Sequence, residues 1–141
     1  MQNATNAGLD WLIDDLVNRV ASVRSAVLLA TDGLLIAGST GLARADAEHL
    51  SAIGSAYRSL ATGVGNHFDL GPARQTVVEL GRAYLLVTEA GPRASLVLIA
   101  DEDADLGLVA YEMNHVVLQA GPHLSVEART APVGGGQRTQ G

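Results

Sequence analysis

The sequence predicts an α+β domain in which helices cover both faces of a mainly antiparallel sheet. Three observations carry this. Apolar residues recur every three or four positions in three separated segments, 9–20, 50–68 and 108–120. Between them lie short apolar runs bounded by Asp32-Gly33, Gly81-Arg82 and Gly91-Pro92, pairs suited to tight reversals. The runs beside Asp32-Gly33 and at 95–100 are almost continuously apolar, as strands buried on both faces are. The order is helix, two strands, helix, three strands, helix.

Composition bounds the rest. The chain has 141 residues, 48% hydrophobic and 17% charged, which suits one domain with a self-sufficient core and surface to share with a partner. Net charge is −6 and all nine cations are arginines scattered singly, so no basic stripe tracks a phosphate backbone and nucleic acid is not an expected partner. Without cysteine there are no disulfides, thiolate metal sites or cysteine nucleophiles. No apolar run is long enough to insert in a bilayer, and the N-terminus does not resemble a signal peptide. The expected location is cytoplasmic.

In chain order, residues 1–7 read as a flexible lead. The first helix packs Leu9, Leu12, Ile13, Leu16, Val17 and Val20 on one face. Asp10, Asp14 and Asp15 lie towards its positive N-terminal end, and Trp11, off the main stripe, either caps the core edge, the favoured reading, or anchors a partner. SAVLLATDGLLIAG forms a hairpin through a type I′ turn at Asp32-Gly33. The longest helix spans 45–68, with Asp46 in its first turn or at its N-cap, and frays near Gly63 and Gly65. Strands follow at 74–80, 83–89 and 95–100, the first two joined by a type II′ turn with Gly81 in its special position. Arg74, Gln75, Thr76 and Glu79 make the first of these polar, as an edge strand is. The last helix starts at Leu106 and stops at Gly121-Pro122. The domain is expected to span 8–126, and 127–141, rich in glycine and without periodicity, reads as a disordered tail.

The long helix is the unusual element. Leu50, Ile53, Tyr57, Leu60, Val64 and Phe68 form one apolar stripe, assigned to the sheet. Ala47, Gly54, Ala61 and Gly65 run beside it, and Ala52, Ala56, Ser59 and Gly63 lie opposite. Between Ala47 and Asn66 only Glu48 and Arg58 are formally charged, so the helix lacks a proper solvent face. Its small face is therefore expected to meet another chain through Ala47, Ser51, Gly54, Ser55, Arg58, Ala61 and Thr62. Thr76 and Val78 of the edge strand are expected to join this interface.

The sequence offers no catalytic set, and no cofactor or metal is expected. Asp101, Asp103, Asp105 and Glu112 fall at positions 1, 3, 5 and 12 of a calcium loop, but Leu106 occupies the position that requires glycine and a strand precedes it. The plainer reading is a helix cap by Asp103 or Asp105. His49 and His67 are separated by roughly 27 Å along one helix and cannot share a metal. No G-x-S-x-G or P-loop motif occurs. Arg58 is either a lightly paired surface residue, the commoner case, or an interface anchor.

LDWLIDDLVNRV, VRSAVLLATDGLLIA, DAEHLSAIGSAYRSLATGVGNHF and SLVLIADEDADLGLVAYEM, in this order and spacing, resemble the Roadblock family of dynein-light-chain-type regulators of small Ras-like GTPases. The resemblance is nearest to actinobacterial conservon-associated members. It implies a five-stranded antiparallel sheet in the order 2-1-5-4-3, the long helix on one face and the other two helices on the opposite face. It further implies a non-enzymatic homodimer built through the long helix and third strand. The partners it implies are a small Ras-like GTPase and a sensor-kinase-like membrane protein, through which the chain would be membrane-associated. Gliding-motility relatives promote hydrolysis without donating an arginine finger, which makes Arg58 a contact candidate. A structural adaptor, or a small-molecule sensor of similar fold, is the alternative.

Overall fold

A computed structural model describes the backbone of residues 7–130 and the side chains of residues 8–124. Along the chain run α1 (Ala7–Arg19), β1 (Val23–Ala30), β2 (Leu35–Gly38), α2 (Arg44–His67), β3 (Gln75–Glu79), β4 (Ala83–Glu89), β5 (Ala94–Asp101) and α3 (Leu106–Thr130). The strands form one antiparallel sheet in the order β2-β1-β5-β4-β3. This is the element order read from the sequence and the strand order the resemblance implies.

Strand side chains alternate between faces, and this divides the core in two. Ala26 and Leu28 of β1, Leu86 of β4, and Leu96, Leu98 and Ala100 of β5 join Leu12, Ile13 and Leu16 of α1 and Val109, Met113 and Val116 of α3. Val27, Leu29, Leu85, Val87 and Val97 face the other way and meet Ala47 and Leu50 of α2. Because β1 and β5 are covered by helices above and below, their apolar runs are nearly unbroken. Arg19 links the two helices of the thicker layer by pairing with Asp15 and with Glu112 of α3. Hydrogen bonds to Asp15 and Glu112 hold its guanidinium above its ordinary pKa.

Local differences from the sequence reading have specific causes. In the β1–β2 turn Gly33 N–H donates to Ala30 O and Ala30 N–H to Leu34 O. Only Gly33 of the pair takes a positive φ, 91°, so the loop holds three residues and ends in a left-handed glycine, where a type I′ turn would need two such residues. Gly81 has no positive φ, which excludes the type II′ turn, although Leu80 N–H still closes the hairpin on Ala83 O. Asp46 occupies the first turn of α2, while the N-cap is Ala43. Asp105 Oδ1 accepts from the amides of Gly107 and Leu108, so that carboxylate caps α3 as the plainer reading had it. α3 does not stop at Gly121-Pro122; it carries Pro122 inside and continues to Thr130. Residues 127–130, read as part of the tail, are therefore helical, and the expected tail at 131–141 lies outside the described residues, as do residues 1–6 of the expected lead.

The largest correction concerns α2. The residues it buries are Ala47, Leu50, Ser51, Gly54 and Gly65, so the small face lies on the sheet. A Cβ at position 54 would collide with Val97 Cγ2, and one at position 65 with the carbonyl oxygen of Gly71. Nor does the helix fray at Gly63 and Gly65; it runs on to His67, because Gly65 is where the returning chain crosses it closely. Gly65→Ala should lower stability by about 1–3 kcal/mol, since a backbone atom obstructs the new methyl. Gly63→Ala, whose Cβ meets nothing within 4 Å, should raise it by roughly 0.5–1 kcal/mol. Urea unfolding of both variants measures the contrast.

Candidate assembly interface

Turning the small face inward turns a large apolar face outward. At about 100° per residue, Ile53, Tyr57, Leu60, Val64 and Phe68 share one flank of α2. Tyr57 is half-buried and packs on the core cluster that includes Val78. Leu60 and Phe68 are 69% and 63% exposed, Val64 is 52% exposed, and Ile53 is also exposed. The sequence reading gave this stripe to the sheet, and only Leu50 and Tyr57 fit that assignment. Leu70, just after the helix, extends the patch at 72% exposure.

The patch has a definite position. Ser55, on the opposite flank, lies beside Gly33 in the β1–β2 turn, at the β2 side of the sheet. The apolar flank therefore looks towards β3, the strand at the other edge. Among the described residues β3 pairs with β4 alone, so none of them pairs with its outer N–H and C=O groups. Val77, on its face away from α2, is exposed, while Thr76 and Val78 are half-buried beneath α2. The other edge is obstructed: Asp10 Oδ1 accepts from Gly38 N–H, and Asp14 accepts from the amide and hydroxyl of Thr40. These α1 carboxylates occupy the end of β2 and leave β3 as the edge free to extend the sheet.

The predicted interface residues thus separate. Ala47, Ser51 and Gly54 are buried against the chain's own sheet, which corrects their assignment to an outer surface. Ser55, Ala61 and Thr62 are half-buried at the margins of that inner face. Arg58 is neither free nor outward: its Nε donates to Glu89 Oε1 at 2.8 Å, with the two side chains 23% and 24% exposed. Trp11, assigned to the core edge, points outward and is 64% exposed. The outward stripe was missed because large apolar side chains were taken as the buried ones. The contrary signal was in the sequence: Ala47, Ser51, Gly54 and Gly65 lie on one line, as small residues do where a helix axis approaches a sheet closely.

Among the described residues no group of three or more His, Asp or Glu side chains converges as a metal site, and no helix is long and apolar enough to cross a membrane.

Comparison with known proteins bears on what such a patch is for. The sequence model of the Roadblock/LC7 domain matches residues 9–100. The chain belongs to the Roadblock/LC7 family. A Roadblock/LC7 domain from Streptomyces avermitilis is 40% identical and superposes with a TM-score of 0.79, over 82% of this chain and 97% of that one. A second such domain from the same organism is 43% identical, with a TM-score of 0.68 over 80% and 98% of the two chains. MglB of Myxococcus xanthus shares the fold at 19% identity, with a TM-score of 0.76 over 85% and 97%. A search of curated proteins found no match by sequence.

The Arg58–Glu89 pair joins α2 to β4 and is shielded enough to contribute. A double-mutant cycle with Arg58→Ala and Glu89→Ala should give a coupling of about 0.5–1.5 kcal/mol in thermal or urea unfolding. An exposed control pair, Arg44 with Glu48, should give about 0.5 kcal/mol or less.

Proposed function

We propose that this Roadblock/LC7 protein is a non-enzymatic regulator that acts as a homodimer and binds a small Ras-like GTPase. The observation that carries the reading is the exposed apolar flank of α2 running beside the open edge of β3. Several large apolar side chains in one outward strip are costly in water and are normally covered. A second copy supplies a matching surface. Antiparallel self-pairing of β3 about a twofold axis at Val77 sets Gln75 opposite Glu79 of the second copy and Thr76 opposite its Val78. The same axis brings the two α2 flanks together over a continuous sheet. The faces agree as well, since residues paired across such an axis differ by an even number and point to the same side.

The GTPase half of the proposal rests on family membership. A dimer leaves the α1–α3 face and the outer side of α2 available for a partner. Localisation in the cytoplasm, with membrane association through a sensor-kinase-like protein, belongs to the same proposal.

Leu60→Glu separates the two halves. Its side chain is 69% exposed, so the variant should keep the wild-type circular dichroism spectrum yet sediment as a monomer where the wild type sediments as a dimer. An unchanged dimer would remove α2 from the interface. The GTPase half is tested by mixing the wild-type protein with a Ras-like GTPase from the same cell in GDP and GTP-analogue forms. A complex in at least one state is expected; none in either state would defeat that half alone.

A further inference from the structure

Beside the start of β3, α2 and the chain that returns from it border an open cleft, with Gln75 of the proposed β3 pairing on its rim. Its volume is about 880 Å³, and its walls are the polar flank of α2, the segment leading into β3 and the β4–β5 turn, with Asn114 of α3 beyond. We propose that this cleft binds a small organic anion, a carboxylate or phosphate ester, through Arg58 and Arg74.

Arg58 is prepared for this role. Glu89 takes its Nε, leaving both Nη groups without a protein partner among the described residues. A guanidinium held along one edge by a carboxylate presents its remaining donors in a fixed plane, which suits the two oxygens of a carboxylate or phosphate. Because the pair is largely shielded, little ordering entropy remains to be lost when an anion arrives.

Arg74 complements it. Its guanidinium is exposed and makes no hydrogen bond or ion pair among the described residues, yet its backbone is fixed. Thr88 Oγ1 and Glu89 N–H both donate to Arg74 O. The second cation is therefore tethered to the same strand end as the Arg58–Glu89 pair, with its side chain unspent. Thr62 and Asn66, one turn apart on α2, add neutral hydrogen-bonding groups to the wall.

Within the cleft Glu89 pairs with Arg58, and Arg74 and Asp69 make no ion pair among the described residues. Asp69 sits at a left-handed φ of 56° in the segment after α2. An anion that also carries a hydroxyl or ammonium group can satisfy both, and its oxygens can accept from the Nη donors that Arg58 keeps beside Glu89. The volume falls in the range of roughly 300–1,000 Å³ usual for small-molecule sites. The small-molecule alternative had no pocket to name in the sequence, because Arg58, Asp69, Arg74 and Glu89 form no local motif; only the fold gathers them.

Titration of the ¹⁵N-labelled full chain with inorganic phosphate, and separately with L-malate, tests the proposal by amide chemical shifts. At least one probe should give saturable shifts confined to residues 58–75 and 88–92, and the one saturating lower assigns the class. Arg74→Gln, exposed and outside the core, should keep the wild-type unfolding midpoint and weaken that binding about tenfold. Arg58→Lys, which keeps the charge and loses the fork, should weaken it similarly. Three outcomes overturn the proposal: neither probe saturates, Arg74→Gln binds as the wild type does, or sodium chloride at equal ionic strength reproduces the shifts.

Discussion

The rest of the structure depends on how closely α2 approaches the sheet. Gly54 lets the helix settle onto Val97, and Gly65 lets the returning chain pass with the Gly71 carbonyl against the helix. Large side chains on this face would lift the helix away and leave Val27, Leu29 and Val87 without cover. The seat has a cost, because the buried hydroxyls of Ser51 and Ser95 have no hydrogen-bond partner among the described residues and each glycine weakens the helix by about 1 kcal/mol. Val27, Leu29, Val87 and Val97, none of them more than 1% exposed, gain their cover in return. A helix seated on its small residues has only its flanks and outer side on which to carry large ones.

That displacement explains the asymmetry of the molecule. The two edges of the sheet are treated differently: carboxylates of α1 occupy the end of β2, whereas β3 is bare and lies beside the apolar flank of α2. A mobile or poorly packed helix would blur that juxtaposition. Here the tight seat and the Arg58–Glu89 pair fix where the flank points. The same pair forms part of the wall of the polar cleft, so one ion pair both orients the helix and prepares an arginine.

Much of this was legible in the sequence. Period and turn residues were enough for the element order, since Leu12, Ile13 and Leu16 repeat as a helix while SLVLIA, short and preceded by Gly91-Pro92, reads as a doubly covered strand. The strand order came from resemblance, because nothing local in β3 or β5 says which strands are neighbours. The faces of α2 were read in reverse. Its hydrophobic period has two stripes, one large and one small, and periodicity cannot say which faces inward; the steric demand of Val97 and Gly71 decides, and that demand is nonlocal. Pro122 misled for a related reason, since a proline within a helix is tolerated where neighbouring turns continue to be supported. The Arg58–Glu89 pair and its neighbour Arg74 were invisible as a group because they come from three separate elements.

The central claim is that α2 shows its small face to its own sheet and its large apolar flank to a second copy. The chain has no native cysteine, so single introduced thiols report on this cleanly. Val64→Cys and Ser59→Cys place a thiol on the apolar flank and on the opposite side of the same helix. With a short bifunctional thiol cross-linker at low protein concentration, Val64→Cys should give a covalent dimer in high yield and Ser59→Cys little. Efficient cross-linking through Ser59→Cys, with Val64→Cys left monomeric, would contradict the account.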